Sequence, residues 1–451
     1  MKRDFSQTLL EWKASQQRKP LLLQGARQTG KTFLLKQFGR TVYERLFYFN
    51  FEEEPGLKDI FQRDLRPERL LPLLSAARKG DIRPGRDLIF FDEIQSCNEA
   101  LNSLKYFCEE APECHVAGAG SLLGLLLSKP ASFPVGKVNI FHLYPMSFFE
   151  FLDAVDESRL RKLLEGVETH APLPFHDELV DWLKLYYFTG GMPEAVSLFS
   201  TTRRLNDVRS VHRDILKAYA LDFAKHAPPA DVPKISMIWE SVPSHLSREN
   251  KKFIFNAIHP SARSREYEGA LQWLENAGLI HRSWAVTRPE MPLRGAADRK
   301  SFKVFLLDVG LLGAMTGLDE KTVIEGTEMF HTYKGAFVEN FAAQQLTAMG
   351  CEQLYYWRSE GLKAEVDFLI ERGGAVWPLE VKAGINPKSQ SLSSYGRQFH
   401  PSLLLRSTLL NLKQDGNILN TPLYAINALP RFLSPRQPLG PSKSREDPAS
   451  S

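Results

Sequence analysis

Residues 25–32 read GARQTGKT and satisfy G-x-x-x-x-G-K-[ST] at every fixed position. The stretch follows the apolar run PLLLQ and opens KTFLLKQFG, whose apolar residues recur at helical spacing. Such a loop works only between the C-terminal end of a strand and the first turn of a helix. There, successive backbone N–H groups and the helix dipole face one anion. Gly25, Ala26, Arg27, Gln28, Thr29, Gly30, Lys31 and Thr32 are therefore expected to cradle phosphates. Lys31 would reach the terminal phosphates and Thr32 would offer an oxygen to Mg²⁺. A chance glycine turn is the plain alternative, and LIFFDE argues against it by supplying the other half of a nucleotide site. Asp92 would hold Mg²⁺ through water and Glu93 would activate the attacking water. ATP and Mg²⁺ are the cofactors these residues imply. A solvated Asp-Glu pair after a strand is the competing reading.

Four further apolar runs, RLFYFNFE, DLIFFDEIQ, CHVAGAG and VNIFHLYPMS, join PLLLQGA as expected strands, with helical stretches between most of them. Near-continuous apolar runs alternating with helices predict a parallel α/β sheet covered on both faces. Ser121 ends the CHVAGAGS strand, where its hydroxyl can sense a terminal phosphate or simply close a turn. From about residue 148 to 225 the pattern is helical, interrupted by TGGMPE, whose glycines and Pro193 could approach the nucleotide base or merely break a helix. KKFIFNAI and SREYEGALQWLENAGLI read as two helices, and HRSWAVTR and SFKVFLLDVGLL as two strands. Helices followed by a hairpin suggest a winged helix-turn-helix, a fold used on DNA and as a protein interface. Between His245 and Phe305 there are 11 Lys and Arg against 6 Asp and Glu, whereas the whole chain is only +4. Lys251, Lys252, Arg263 and Arg265 are the expected phosphate contacts.

No apolar run reaches the length a membrane helix needs. The N-terminus has no signal-peptide pattern, and Cys97, Cys108, Cys114 and Cys351 lack zinc-ligand or disulfide spacing. A reduced, cytoplasmic protein without membrane contact is expected. Near the C-terminus, AEVDFLIERGGAVWPLEVKAG carries Asp367, Glu380 and Lys382 on two β-rich runs. Residues two apart on a strand share a face, so Glu380 and Lys382 project together. A metal-dependent nuclease uses such a trio, and an edge hairpin carries the same charges for solubility.

The ordered set RKPLLLQGARQTGKT, LIFFDEIQ, LYPMSFFEFL, YFTGGMPEAV, GALQWLENAGLIHR, FKVFLLDVGLL, YKGAFVENFAAQQL, LYYWRSE, AEVDFLI and PLEVKAG resembles the prokaryotic AAA-type ATPases that carry a C-terminal domain of unknown function. These are relatives of archaeal and signal-transducing (STAND) NTPases. The resemblance implies a P-loop (ASCE) core over residues 1–150, a helical lid over 151–230 with its GGMP stretch as a second sensor, and a winged-helix segment over 231–325. It further implies a restriction-endonuclease-like domain of the PD-(D/E)xK pattern over 326–430, leaving a disordered tail over 431–451. On that pattern Glu339, Asp367, Glu380 and Lys382 are the catalytic set, with Asp367 and Glu380 on the metal, and Gln344 and Tyr395 complete the pocket. Two positions depart from the family: Ala119-Gly120-Ser121 replaces Thr-Gly-Ser, and Lys137 stands where an arginine is usual. Lys137 offers a point charge without the planar fork, so hydrolysis would be slow or draw an arginine from another subunit. Two functions stay open: an ATP-driven switch whose C-terminal domain cuts or grips DNA or RNA, and a signalling scaffold that forms ATP-dependent homo-oligomers and whose C-terminal domain binds a protein partner.

Overall fold

The computed structural model describes residues 1–121, 124, 136–167, 171–248, 251–260, 262–317, 319, 334–361, 363–384 and 389–433. The expected tail lies outside them from residue 434 onward. The five apolar runs of the first third form β1 (Leu21–Gln24), β2 (Arg45–Asn50), β3 (Asp87–Asp92), β4 (His115–Gly120) and β5 (Asn139–His142). All pair in parallel in the order β2-β3-β4-β1-β5. Alternate side chains go to opposite faces. Leu22, Ile89, Phe91 and Val116 meet the helix Asn98–Glu110 through Leu104 and Phe107 on one side. Leu21, Leu23, Leu88 and Phe90 meet the helix Lys31–Val42 through Leu34, Leu35 and Phe38 on the other. Each such side chain contributes about 1.5–3 kcal/mol on leaving water. The expected parallel α/β sheet is what forms. Because β4 separates β1 from β3, the carboxyl ends of these three strands share one edge.

The segment after β5 is helical through Leu246. Its first helix, Phe148–Ala154, starts at a capping box in which Ser147 and Glu150 bond each other's backbone N–H. The remaining strands are β6 (Ile280–Val286), β7 (Ala297–Leu306), β8 (Leu354–Arg358), β9 (Glu365–Arg372), β10 (Ala375–Val381), β11 (Leu404–Thr408), β12 (Lys413–Asp415) and β13 (Ile418–Pro422). They make one eight-stranded mixed sheet, ordered β12-β13-β11-β10-β9-β8-β6-β7. Gly373 and Gly374, both at positive φ (60° and 75°), turn β9 into β10, a two-residue hairpin that favours glycine.

Two features differ from the sequence reading. The β6–β7 hairpin does not stand alone as a wing, because β6 pairs in parallel with β8 and so enters the C-terminal sheet. KKFIFNAI is not an α-helix: Lys252 bridges Lys303, the Phe253 N–H donates to the Phe302 carbonyl at 2.8 Å, and only Phe255–Ala257 makes a single 3₁₀ turn. Stacking of Phe253 on His245 and on Phe302, at 4.4 and 5.6 Å, favours the extended backbone over local helix propensity. One apolar core runs without a break from Met146 through Tyr186, Leu271, Leu306 and Phe341 to Leu429. No described helix is long and apolar enough to cross a membrane.

Candidate nucleotide site and the C-terminal acidic cluster

The loop after β1 is built from backbone that a side chain would obstruct. Gly25 lies at φ 151°, and a Cβ there would fall 2.2 Å from the Leu143 carbonyl oxygen. Gly30, at φ 92°, precedes the helix Lys31–Val42. Lys31 is buried and donates to the carbonyls of Gly25 (3.0 Å) and Ala26 (2.8 Å). Burial lowers its ammonium to about 8, partly offset by Glu93 and Asp92. Thr32 donates its hydroxyl to Asp92 Oδ1 at 3.1 Å, and Tyr48 donates to Asp92 Oδ2 at 2.9 Å. Glu93, at φ 48°, ends the same strand, and burial raises its carboxyl above the usual range while a Gln95 amide hydrogen bond opposes this. Strand order brings Lys31, Thr32, Asp92 and Glu93, far apart in sequence, to one edge. Ser121 follows β4 and lines, with Gly25, Asn276 and Gly278, a cavity of about 360 Å³. Thr32 and Asp92 would fit a Mg²⁺ ion, because one hydroxyl and one carboxylate already adjoin at the helix start.

Other segments clamp the loop. Arg3 is buried and donates to Glu150 Oε1 (2.9 Å), the Thr29 carbonyl (2.9 Å) and the Tyr144 carbonyl (2.7 Å). The Tyr219 hydroxyl donates to the Arg27 carbonyl at 3.0 Å, while the Arg27 guanidinium pairs with Asp222 at 2.6 Å. Arg27 thus ties the loop to the helix Leu205–His226. Pro193 approaches Gly30, its Cγ 3.5 Å from where a Cβ would be. The two glycines before it have another task. Gly191 N–H donates to Asp308 Oδ2 at 2.6 Å, and a Cβ on Gly190 would overlap the Asp308 carboxylate. Lys137 pairs with Glu109 at 2.8 Å on the surface.

At the C-terminal sheet the four proposed residues are drawn together, but with two further lysines among them. Lys303, on β7, is buried and meets Glu365 Oε1 at 2.6 Å, Glu339 Oε2 at 3.5 Å and Asp367 Oδ1 at 3.9 Å. Lys251 passes over Gly335, where a Cβ would come within 2.7 Å of its ammonium, and pairs with Glu339 Oε1. Lys251 is therefore not an outward phosphate contact: the buried Glu339 carboxylate draws it inward. Asp367 Oδ2 accepts the Val381 N–H at 2.8 Å, and Lys382 pairs with Glu380 at 2.8 Å. Burial, with Glu339 and Glu380 nearby, pushes the Asp367 carboxyl well above the carboxylate range. Among the described residues no group of three or more His, Cys, Asp or Glu has the arrangement of a metal site. The acids do not fit the metal that the nuclease pattern implies, because ammonium groups occupy the space between them.

Gln344 and Tyr395 are not in this pocket. Gln344 bonds the Val309 N–H, Asp308 and Tyr186 at 2.9–3.0 Å, and Tyr395 packs on Trp357 and Phe399 in the core. The sequence reading missed Lys303 and Asp308, although each interrupts an otherwise apolar run in FKVFLLDVGLL. A lone charge inside a strand that must be buried was the available signal.

Residues 180–322 match a domain of unknown function (DUF8612), and residues 334–425 match another (DUF4143). Uncharacterized proteins of Mycobacterium bovis and Mycobacterium tuberculosis are each 33% identical over 102 residues, 22% of this chain. The match likewise spans only 22% of each relative's length. Among solved structures, a Walker-type ATPase of Pyrococcus abyssi aligns at 14% identity and TM-score 0.43, over 70% of this chain and 95% of the other. The ORC1 protein of Aeropyrum pernix in complex with DNA aligns at 14% and 0.29, over 71% and 92%. The RuvB Holliday junction branch migration motor of Thermotoga maritima aligns at 15% and 0.29, over 64% and 90%. Residues 17–152 match the model of an AAA domain, and with the loop and strand order above they form a P-loop domain of the AAA type.

Proposed function

We propose that the protein binds and hydrolyses ATP at Gly25–Thr32 and uses the cycle as a switch acting on nucleic acid. The observation that carries this is the convergence of Lys31, Thr32, Asp92 and Glu93 at the carboxyl ends of β1 and β3. Thr32 and Asp92 would hold Mg²⁺, which when bound would neutralise charge on the phosphates. Lys31 exchanges its Gly25 and Ala26 carbonyl partners for phosphate oxygens, and Gly30 and the helix start donate backbone N–H groups to them. Glu93, with its carboxyl raised by burial, accepts a proton from the attacking water. Ser121, which lines a cavity with Gly25, would report the terminal phosphate. Pro193 gives the lid a direct contact with that loop at Gly30, and the two glycines before it anchor the lid on Asp308. We assign residues 1–150 to the ATPase core, 151–230 to the lid, 231–325 to the nucleic-acid segment and 326–430 to the C-terminal domain.

The nucleic-acid part rests on a groove of about 760 Å³ lined by Lys252, Arg263, Arg299 and Lys300 beside Ile254 and Phe255. A basic rim around apolar and aromatic side chains suits a phosphate backbone with bases against it. The lysine-filled acidic cluster favours a second reading, in which the C-terminal sheet holds a protein partner without cutting. Calorimetric titration with ATP and Mg²⁺ tests the main proposal. Lys31→Ala should weaken binding by about tenfold or more, roughly 1.4 kcal/mol, with the melting temperature held. Equal affinity in both proteins would overturn it.

A further inference from the structure

The place a nuclease of this pattern gives to a divalent cation is here surrounded by four carboxylates: Glu339, Glu365, Asp367 and Glu380. Three ammonium groups face them, Lys251 and Lys303 from the segment before the C-terminal domain and Lys382 from the end of β10. With every group ionised the set carries a single net negative charge, so no dication is needed to balance it. Lys303 is the member that matters most. Its side chain is only 2% exposed, its ammonium touches three of the four acids, and it lies 4.9 Å from the Tyr356 ring. An entering dication would either repel that ammonium at close range or displace it into a buried space without a partner, and both are strongly unfavourable.

We infer that Lys303 is a resident counter-ion that occupies the cation position of the acidic cluster, so that the cluster takes up no divalent metal while Lys303 is in place. The buried Glu380 Oε2 accepts no hydrogen bond, and the buried Glu339 Oε2 has only the Lys303 ammonium, at 3.5 Å. Both Glu339 and Glu380 are more than nine-tenths buried. Once the lysine charge is gone both oxygens are left to accept, so a cation ligand set is latent behind it. Removing the charge while keeping the stem, as Lys303→Met does, should expose a site in which Glu339, Asp367 and Glu380 share one hard cation through oxygen alone. The inference stands on the C-terminal sheet and β7 and is independent of the nucleotide reading.

Mn²⁺ is the probe, because its paramagnetism counts bound ions directly. The full chain, without nucleotide, is titrated as wild type, Lys303→Met, Lys303→Met with Asp367→Asn, and Asp367→Asn alone. Lys303→Met should gain one Mn²⁺ per chain, about tenfold or more tighter than wild type, and the added Asp367→Asn should abolish the gain. Wild type and Asp367→Asn should bind Mn²⁺ equally weakly. If Lys303→Met fails to fold, this last pair still decides: tighter binding by wild type than by Asp367→Asn contradicts the inference. A folded Lys303→Met that gains no Mn²⁺ also overturns it.

Discussion

His212 lies between a guanidinium and a carbonyl. Its Nε2 is 2.9 Å from the Thr189 carbonyl oxygen, so that nitrogen carries the hydrogen, and Nδ1 accepts from Arg209 at 3.2 Å. Burial, with the Arg209 charge second, lowers the imidazole to about 3. His115, buried beside Tyr43, is lowered to about 4 for the same first reason. Both rings stay neutral in the folded chain, while the unfolded chain protonates them near pH 6.5. Stability is therefore full above pH 6.5 and falls as pH drops toward 3–4, by about 1.4 kcal/mol per pH unit for each ring. We expect the melting temperature to fall between pH 7 and pH 5. His212→Gln should be less stable at pH 7 yet show a shallower fall, and an unchanged slope would exclude His212 as a source. Of all this the sequence showed only a histidine in a helix. The same holds for Lys303 and Lys251, whose partners lie on a strand and a helix dozens of residues away. Reading the acids as metal ligands followed their spacing correctly, but spacing says nothing of which cations the fold brings in.

At the level of elements, the five-stranded sheet was legible because strands buried on both faces leave near-continuous apolar runs that helices must separate. The order of those strands was not in any run. It decides that β1, β4 and β3 end together, and hence that the phosphate loop, Ser121 and Asp92 are neighbours. KKFIFNAI misled because its apolar spacing suits a helix, whereas its aromatic rings pack on β7 and the backbone follows them. That displacement has a functional result: Lys252 and Ile254 now border a groove with Arg263, at the start of the helix Ser264–Asn276, and with Arg299 and Lys300 on β7. If the groove holds a nucleic-acid backbone, each arginine that meets a phosphate releases about one counter-ion. Binding of labelled duplex DNA, followed by anisotropy across a salt series, should show a steep slope of log K against log salt in wild type. Arg263→Ala should reduce that slope by about 0.9. Affinity that is absent, or insensitive to salt in both proteins, would assign the groove to a protein partner.

Across the whole molecule, the loop that is to hold phosphate is braced by Arg3, by Tyr219 and Asp222 on the helix Leu205–His226, and by Gly278. Gly191 is tied onward through Asp308 to Gln344, on the helix that also carries Glu339 into the acidic cluster. One continuous core joins the helices after β5 to the C-terminal sheet. None of these long-range ties has a local signature, which is why the motifs were readable and their connections were not. The account makes Glu93 the group that activates water for ATP cleavage, so phosphate release in the presence of ATP and Mg²⁺ tests it most directly. Wild type should turn over, and Glu93→Gln should bind ATP with similar affinity while releasing phosphate about 10²–10⁴ times more slowly. Release at the wild-type rate by Glu93→Gln would contradict the account.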